Sequence, residues 1–83
     1  MKIGVMGCII ENPQENQAAF NELVAEYRHL IKGRMGIPFD DHDTSVIAIT
    51  VIGSVDDINA LTGRLGNIPG VSVKASISRR DID

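Results

Sequence analysis

The stretch Ser45-Val46-Ile47-Ala48-Ile49-Thr50-Val51-Ile52 decides the fold of this chain. It carries no charge and is rich in β-branched side chains, a composition that predicts a strand. A second run, Ile3 to Ile10, has the same character and ends at Glu11-Asn12-Pro13. Neither alternate set of side chains in these two runs is predominantly polar. We therefore expect both runs to be central strands of one sheet.

A helix is predicted after the first of these strands. Asn12 and Glu15 have the spacing of a capping box, and Pro13 fits the first helical position. Gly33 supplies a helix stop. Apolar residues recur between these limits at three- and four-residue intervals, which predicts one buried stripe. Its members are Phe20, Leu23, Val24, Tyr27, Leu30 and Ile31.

A second helix is predicted after the other central strand. Ser54 and Asp57 form its capping box, and Gly66 closes it. Its buried stripe is predicted to be Ile58, Leu61 and Leu65.

Two further segments alternate in the way that edge strands do. Residues 34–39 alternate apolar with other side chains, and Pro38 favours the edge of a sheet because it cannot donate a ladder hydrogen bond. Residues 71–78 alternate apolar residues with serine and lysine. Between the second and third strands, residues 40–43 predict a polar hairpin loop.

The resulting order is strand, helix, strand, strand, helix, strand. Right-handed crossovers place both helices on one face of an antiparallel sheet, so we predict a single α+β domain over residues 1–83 with the ferredoxin-like βαββαβ fold. The central strands are apolar on both faces although helices cover only one. We therefore predict a homo-oligomer, dimer or tetramer, that associates through the sheet face or an edge.

Composition excludes several classes of function. The chain has 83 residues, 43% of them apolar, and a net charge of −3, which disfavours direct binding of nucleic acid. One cysteine cannot form an internal disulfide, so a cytoplasmic location is the expectation. No run of about 18 apolar residues is present, so we expect no membrane span.

Two blocks of residues carry a resemblance to a known family. The chain resembles the iron-only ([FeFe]) hydrogenase system regulators, which are of similar length and occur with the maturation proteins of that hydrogenase. The blocks are Arg34-Met35-Gly36-Ile37-Pro38 and Leu61-Thr62-Gly63-Arg64-Leu65-Gly66-Asn67-Ile68-Pro69-Gly70-Val71-Ser72-Val73-Lys74.

The resemblance implies a regulatory module with a fold related to ACT domains and to the C-terminal sensor domain of the nickel-responsive repressor. That repressor binds nickel through histidines and a cysteine on its sheet. Residues 45–52 contain no histidine, so the nickel site does not carry over. Two alternatives remain open: a structural module that docks on a hydrogenase-associated protein, and a metal sensor.

Three features indicate candidate ligand-binding residues. Glu11 and Asn12 form the turn after the first strand, where ACT domains commonly hold effectors. Arg34 lies in a cluster of cations. Gly36 belongs to the block Arg34 to Pro38, which carries the resemblance. Gly63 costs about 1 kcal/mol relative to alanine inside a helix, so we expect a close neighbour or a small-molecule effector there.

Metal and catalytic chemistry have weaker support. Asp40, His42 and Cys8 could ligate a metal, although polar hairpin residues and a strand cysteine are more often structural. No Ser/His/Asp or Cys/His arrangement, Walker A motif or dinucleotide-binding glycine signature is present. We therefore expect no enzyme, and no cofactor is indicated.

Overall fold

The computed structural model describes residues 1–82 and shows the predicted order of elements. Each predicted strand and helix is present, which confirms the α+β ferredoxin-like fold. The elements are β1 (Lys2–Glu11), α1 (Pro13–Glu26), β2 (Ile31–Phe39), a 3-10 turn (Asp40–His42), β3 (Thr44–Gly53), α2 (Val55–Gly66) and β4 (Val71–Ile77).

The four strands form one antiparallel sheet in the order β2-β3-β1-β4. The two apolar strands are therefore central, as predicted, and Pro38 lies in an edge strand. The register across the centre places Gly7 of β1 opposite Ala48 of β3 and Lys74 of β4. On the other side of β3, Met35 pairs with Ala48.

Both helices lie on one face of the sheet and enclose a single hydrophobic core. Alternate residues of β1 and β3 are buried, and the other set is exposed or half-buried. The buried core consists of Met6, Cys8, Ile10, Phe20, Leu23, Val24, Leu30, Ile47, Ile49, Val51, Ile58, Leu61, Leu65 and Val71. The predicted stripes of both helices therefore supply this layer, except at the end of α1.

The predicted end of the first helix is wrong. α1 ends at Glu26, and residues 27–30 form turns before β2 begins at Ile31. The Leu30 carbonyl accepts a hydrogen bond from the Ile52 amide at 2.9 Å, and Ile31 pairs with Val51 across the sheet. The chain therefore pairs with β3 instead of continuing the helix, and the Leu30 side chain reaches the core from a turn.

The predicted Asn12–Glu15 capping box is also wrong. Asn12 has φ 50° and ψ 60°, in the left-handed region, and its side chain makes no capping hydrogen bond. Asparagine tolerates that conformation better than most residues. The second helix behaves as predicted, because the Ser54 side chain accepts a hydrogen bond from the Asp57 amide at 3.1 Å.

Candidate functional site

The candidate functional site is the face of the sheet that the helices leave uncovered, which we call the open face. β1 contributes Ile3, Val5, Gly7 and Ile9, and β3 contributes Val46, Ala48, Thr50 and Ile52. The edge strand β2 adds Gly33, Met35, Ile37 and Phe39 by its register with β3. The apolar set of β2 therefore points away from the helices.

The open face is a continuous apolar surface. Six of its large side chains are 37% to 66% exposed. Together they present on the order of 500 Å² of apolar surface, near the upper end for the largest patch on a monomer. Such a surface is typical of a contact with another protein. The six are Ile3, Val5, Ile9, Met35, Ile37 and Phe39.

Polar groups occupy the margin of this surface. β4 presents Ser72, Lys74 and Ser76 on the open face, because these residues are opposite Ile9, Gly7 and Val5. Glu11 stands at the end of the same alternate set of β1. In the part of the chain that the structure describes, neither Glu11 nor Lys74 forms an ion pair.

The predicted ligand residues Glu11 and Asn12 lie together where three connections meet. The Glu11 amide donates to the Gly70 carbonyl at 2.7 Å, and the Asn12 amide donates to the Asp43 carbonyl at 3.0 Å. The Asn16 side chain donates to the Glu11 carbonyl at 2.7 Å. These bonds hold the end of β1 rigidly against both neighbouring loops.

All the positive-φ residues found within residues 1–82 lie at this end: Asn12 at 50°, Asp43 at 52° and Gly70 at 78°. A side chain at Gly70 would also collide with its surroundings, because an added Cβ would lie 2.9 Å from the Glu11 carbonyl oxygen. This end of the sheet, which we call the loop end, is therefore tightly packed as well as exposed.

Arg34 and Gly36 lie elsewhere, on the helix-covered side of β2. The Arg34 guanidinium carbon is 6.0 Å from the centroid of the Phe20 ring, and its Nη2 is 3.3 Å from the Asn21 side-chain oxygen. Gly36 is opposite Ile47. Arg34 therefore packs on α1, separately from Glu11 and Asn12.

Gly63 is exposed on α2, and an added Cβ would meet nothing within 4 Å. The close approach expected at this glycine does not exist within the described residues. Nothing in the structure explains why glycine stands there.

The predicted metal residues do not come together. Cys8 is fully buried in the middle of β1, whereas Asp40 and His42 form the 3-10 turn at the tip of the β2–β3 hairpin. Burial raises the pKa of the Cys8 thiol from 9.0 to about 11, and the Arg34 charge opposes this only in part. The thiol is therefore neutral near pH 7, and metals bind the thiolate. Within residues 1–82 no three His, Cys, Asp or Glu side chains are grouped to hold a metal ion.

A polar cluster that the sequence does not predict lies between the helices. Arg64 Nη1 lies 2.9 Å from a Glu26 carboxylate oxygen and 3.2 Å from the Tyr27 hydroxyl. The hydrogen bond to Tyr27, and then the bond to Glu26, raises the pKa of Arg64. The cluster borders an open groove of about 550 Å³, which Leu23 and Ile68 also line. A separation of 38 residues between Arg64 and Glu26 leaves no local signal of this pair.

These features define the class of protein: a small ferredoxin-like domain whose most distinctive surface is an uncovered apolar sheet face. The family follows from comparison with known proteins. A model of the TM1266-like family, described as iron-only hydrogenase system regulators, matches residues 2–75, and the chain belongs to this family. The resemblance found in the sequence is thereby confirmed.

A solved structure has the same architecture. The uncharacterized protein TM1266 from Thermotoga maritima superposes with a TM-score of 0.90 at 28% sequence identity, over 95% of this chain and 100% of that one. No curated protein matches the chain significantly. The relation to ACT domains and to the nickel-responsive repressor stays a prediction. Neither helix in residues 1–82 has the length and apolar character needed to cross a membrane.

Proposed function

We propose that this chain is a non-catalytic, cytoplasmic regulatory module of the [FeFe]-hydrogenase system that works by binding protein on its open face. The observation that carries the proposal is the charge-poor, exposed apolar surface of β1, β2 and β3. The family's description supports the link to the hydrogenase system.

The positions of the reactive side chains support a role without catalysis. His29 follows α1, and His42 lies at the hairpin tip beyond the opposite end of β2. Cys8 is sealed in the core as a neutral thiol. No nucleophile is therefore placed beside a base among these groups, as covalent catalysis requires.

A small-molecule effector is part of this proposal. Glu11 and Asn12 offer a carboxylate and an amide on a rigid turn beside the open face. An effector bound there would contact whatever protein covers the face. It would regulate by binding one assembled arrangement more tightly than another, because differential affinity is what shifts an equilibrium.

A second candidate function uses the same surface differently. The open face could dock permanently on a hydrogenase-associated protein, without any effector. The tightly bonded loop end favours this reading, because a rigid surface binds without an ordering cost. Native mass spectrometry on protein purified without chelator separates the two: a retained small mass supports the effector, and a ligand-free assembly supports docking.

The functional test is complementation in a host with an active [FeFe]-hydrogenase. Deletion of the gene is expected to change hydrogenase activity, and the wild-type gene is expected to restore it. Ile37→Glu places a charge in the open face and is expected to fail to restore activity. Val55→Glu makes the same change on an exposed residue of α2 and is expected to succeed.

Transcript levels measured in the same strains show which step is regulated. A change in hydrogenase messenger RNA indicates control of expression, and unchanged messenger RNA with altered enzyme activity indicates control of maturation. Hydrogenase activity that is unaffected by the deletion would contradict the proposed function.

A further inference from the structure

The charge pattern of the open face indicates what covers it. Interfaces that form and separate are about as apolar as ordinary protein surface, whereas permanent homodimer interfaces are more apolar and poor in charge. On β1, β3 and β4 the charged residues of this face are Glu11 and Lys74, and both stand at its margin. The centre of the face thus resembles a permanent interface.

The available area fits a pair of identical chains. The six exposed side chains present on the order of 500 Å², and a stable interface uses about 800 Å² on each partner. The half-buried residues of β3 lie between the six and the serines of β4 lie beside them, and together they supply the remainder. One open face therefore provides about one half of a standard interface.

Glu11 and Lys74 restrict how two copies can stack. Lys74 is level with Gly7, and Glu11 is four residues further along β1. The two side chains are therefore offset by about 13 Å along the strand direction. Consider a two-fold axis that lies between the two stacked sheets, perpendicular to the strands, at the level of Ile9. Such an axis brings Glu11 of one copy level with Lys74 of the other and so removes the offset. An axis parallel to the strands leaves it unchanged.

We propose that two copies stack through their open faces about such an axis, with Glu11 of each copy paired with Lys74 of the other. The inference rests on the proposed function in taking the open face as the working surface, and it names the partner as a second copy.

The same axis determines the other contacts. Ile9, Val46, Ile37 and Ser72 share one level of the sheet, so each faces its own counterpart. Met35 is then opposite Phe39, because these residues lie one level to either side of Ile37. Apolar groups thus meet apolar groups across the centre, and Glu11 and Lys74 meet at the margin as two equivalent pairs.

Analytical ultracentrifugation in the micromolar range tests the assembly. The wild-type protein is expected to sediment as a dimer or a multiple of it. Ile37→Glu is expected to sediment as a monomer, because it sets two carboxylates against each other at the axis. The matched variant Val55→Glu is expected to keep the wild-type size. A monomeric wild-type protein, or an assembly unaffected by Ile37→Glu, would overturn the inference.

Exchange of the two charges tests the pairing. Glu11→Lys and Lys74→Glu are each expected to weaken dimerisation about two- to thirtyfold, because each change disrupts both of the equivalent exposed ion pairs of the dimer. The double variant is expected to recover the wild-type dissociation constant, which a double-mutant cycle measures. Additive losses in the double variant would contradict the pairing.

Cross-linking with a short bis-maleimide tests the axis. Ser72→Cys places a thiol on the axis level, where it faces its counterpart, so efficient dimer cross-linking is expected. Ser76→Cys lies four residues away on the same strand and is expected not to cross-link. Buried Cys8 stays unmodified in both. Cross-linking through position 76 instead of 72 would exclude this axis.

Failure of this inference is distinguishable from failure of the proposed function. A monomer that still restores hydrogenase activity only when its open face is intact would refute the second copy as partner and keep the function. A protein that forms the predicted dimer, but whose deletion leaves hydrogenase activity unchanged, would refute the proposed function and keep the second copy as partner.

Discussion

The two faces of the sheet are built from alternate residues of the same strands and have opposite environments. In β1, Met6, Cys8 and Ile10 are fully buried, whereas Val5 and Ile9 are about half exposed. Both sets are almost equally apolar. The difference comes from the helices, which cover one set and leave the other. Apolar character therefore predicts that a surface will be covered, and topology decides whether the same chain covers it.

The largest expected effect comes from comparing two phenylalanines, one in the core and one on the open face. Phe20 is fully buried on α1, and Phe39 is 45% exposed on the open face. Phe20→Ala is expected to lower the free energy of unfolding by about 3 to 5 kcal/mol, because it leaves a cavity in the core. Phe39→Ala is expected to lower it by less than about 1 kcal/mol.

Urea denaturation measures both values, and the Ile37→Glu background, which is expected to be monomeric, removes the contribution of assembly. If Phe20→Ala does not fold, Phe20→Leu is the milder substitute, and its loss should still exceed that of Phe39→Ala. Equal losses at the two positions would show that the faces are not distinct within the monomer.

The next effect concerns the thiol on the covered face. Burial raises the pKa of Cys8 to about 11, above its value of 9.0 when exposed. The folded state therefore prefers the neutral thiol, and its stabilising contribution is complete below pH 9 and is lost as the pH rises toward 11. The loss is on the order of 2 kcal/mol across this window.

Urea denaturation between pH 8 and about pH 11, on the wild type and on Cys8→Ala, measures this contribution. The wild-type stability is expected to fall more steeply, because the alanine variant lacks the titrating group. Parallel profiles would show that the thiol is not protected by the core.

The smallest effect compares two glycines of β1 on opposite faces. A Cβ at Gly4 would lie 3.0 Å from Val51 Cγ2 and 3.3 Å from Ile58 Cγ2, whereas one at Gly7 would meet nothing within 4 Å. Gly4→Ala is expected to cost about 1 kcal/mol through overpacking. Gly7→Ala is expected to add about 0.5 kcal/mol by restricting the unfolded chain.

Thermal and urea unfolding of the two alanine variants in the Ile37→Glu background give the sign of each change. The same sign for both would contradict the assignment of Gly4 to the covered face and Gly7 to the open one.

The sequence predicts the strands and helices well because each has a strong apolar period. It does not predict the end of α1, since Leu30 and Ile31 continue the helical spacing and only the hydrogen bond from Ile52 and the pairing with Val51 show that they have left it. The capping box predicted at Asn12 is wrong for a similar reason, because asparagine suits both a helix cap and a left-handed turn.

The open face is predictable in part. Apolar residues in both alternate sets of the central strands are enough to indicate an uncovered apolar surface. The contribution of β2 is not evident, because an edge strand normally turns its apolar side toward the helices. Register settles it: Arg34 is opposite buried Ile49, which places Met35 on the other face. Contacts between distant residues, such as Arg64 with Glu26, have no counterpart in local pattern.

The pairing of β1 with β4 has a consequence for the time that the chain takes to fold. Gly4 and Ile77 are neighbours in the sheet although nearly the whole chain separates them. Contacts between such distant residues make folding slower than that of a helical bundle of similar size, because loop closure must precede the contact. During that interval β1 has an unpaired edge as well as an uncovered apolar face, and both favour aggregation. Because β4 is the last strand in chain order within residues 1–82, slow synthesis lengthens this interval, and chaperones that bind apolar strands protect the chain until β4 pairs.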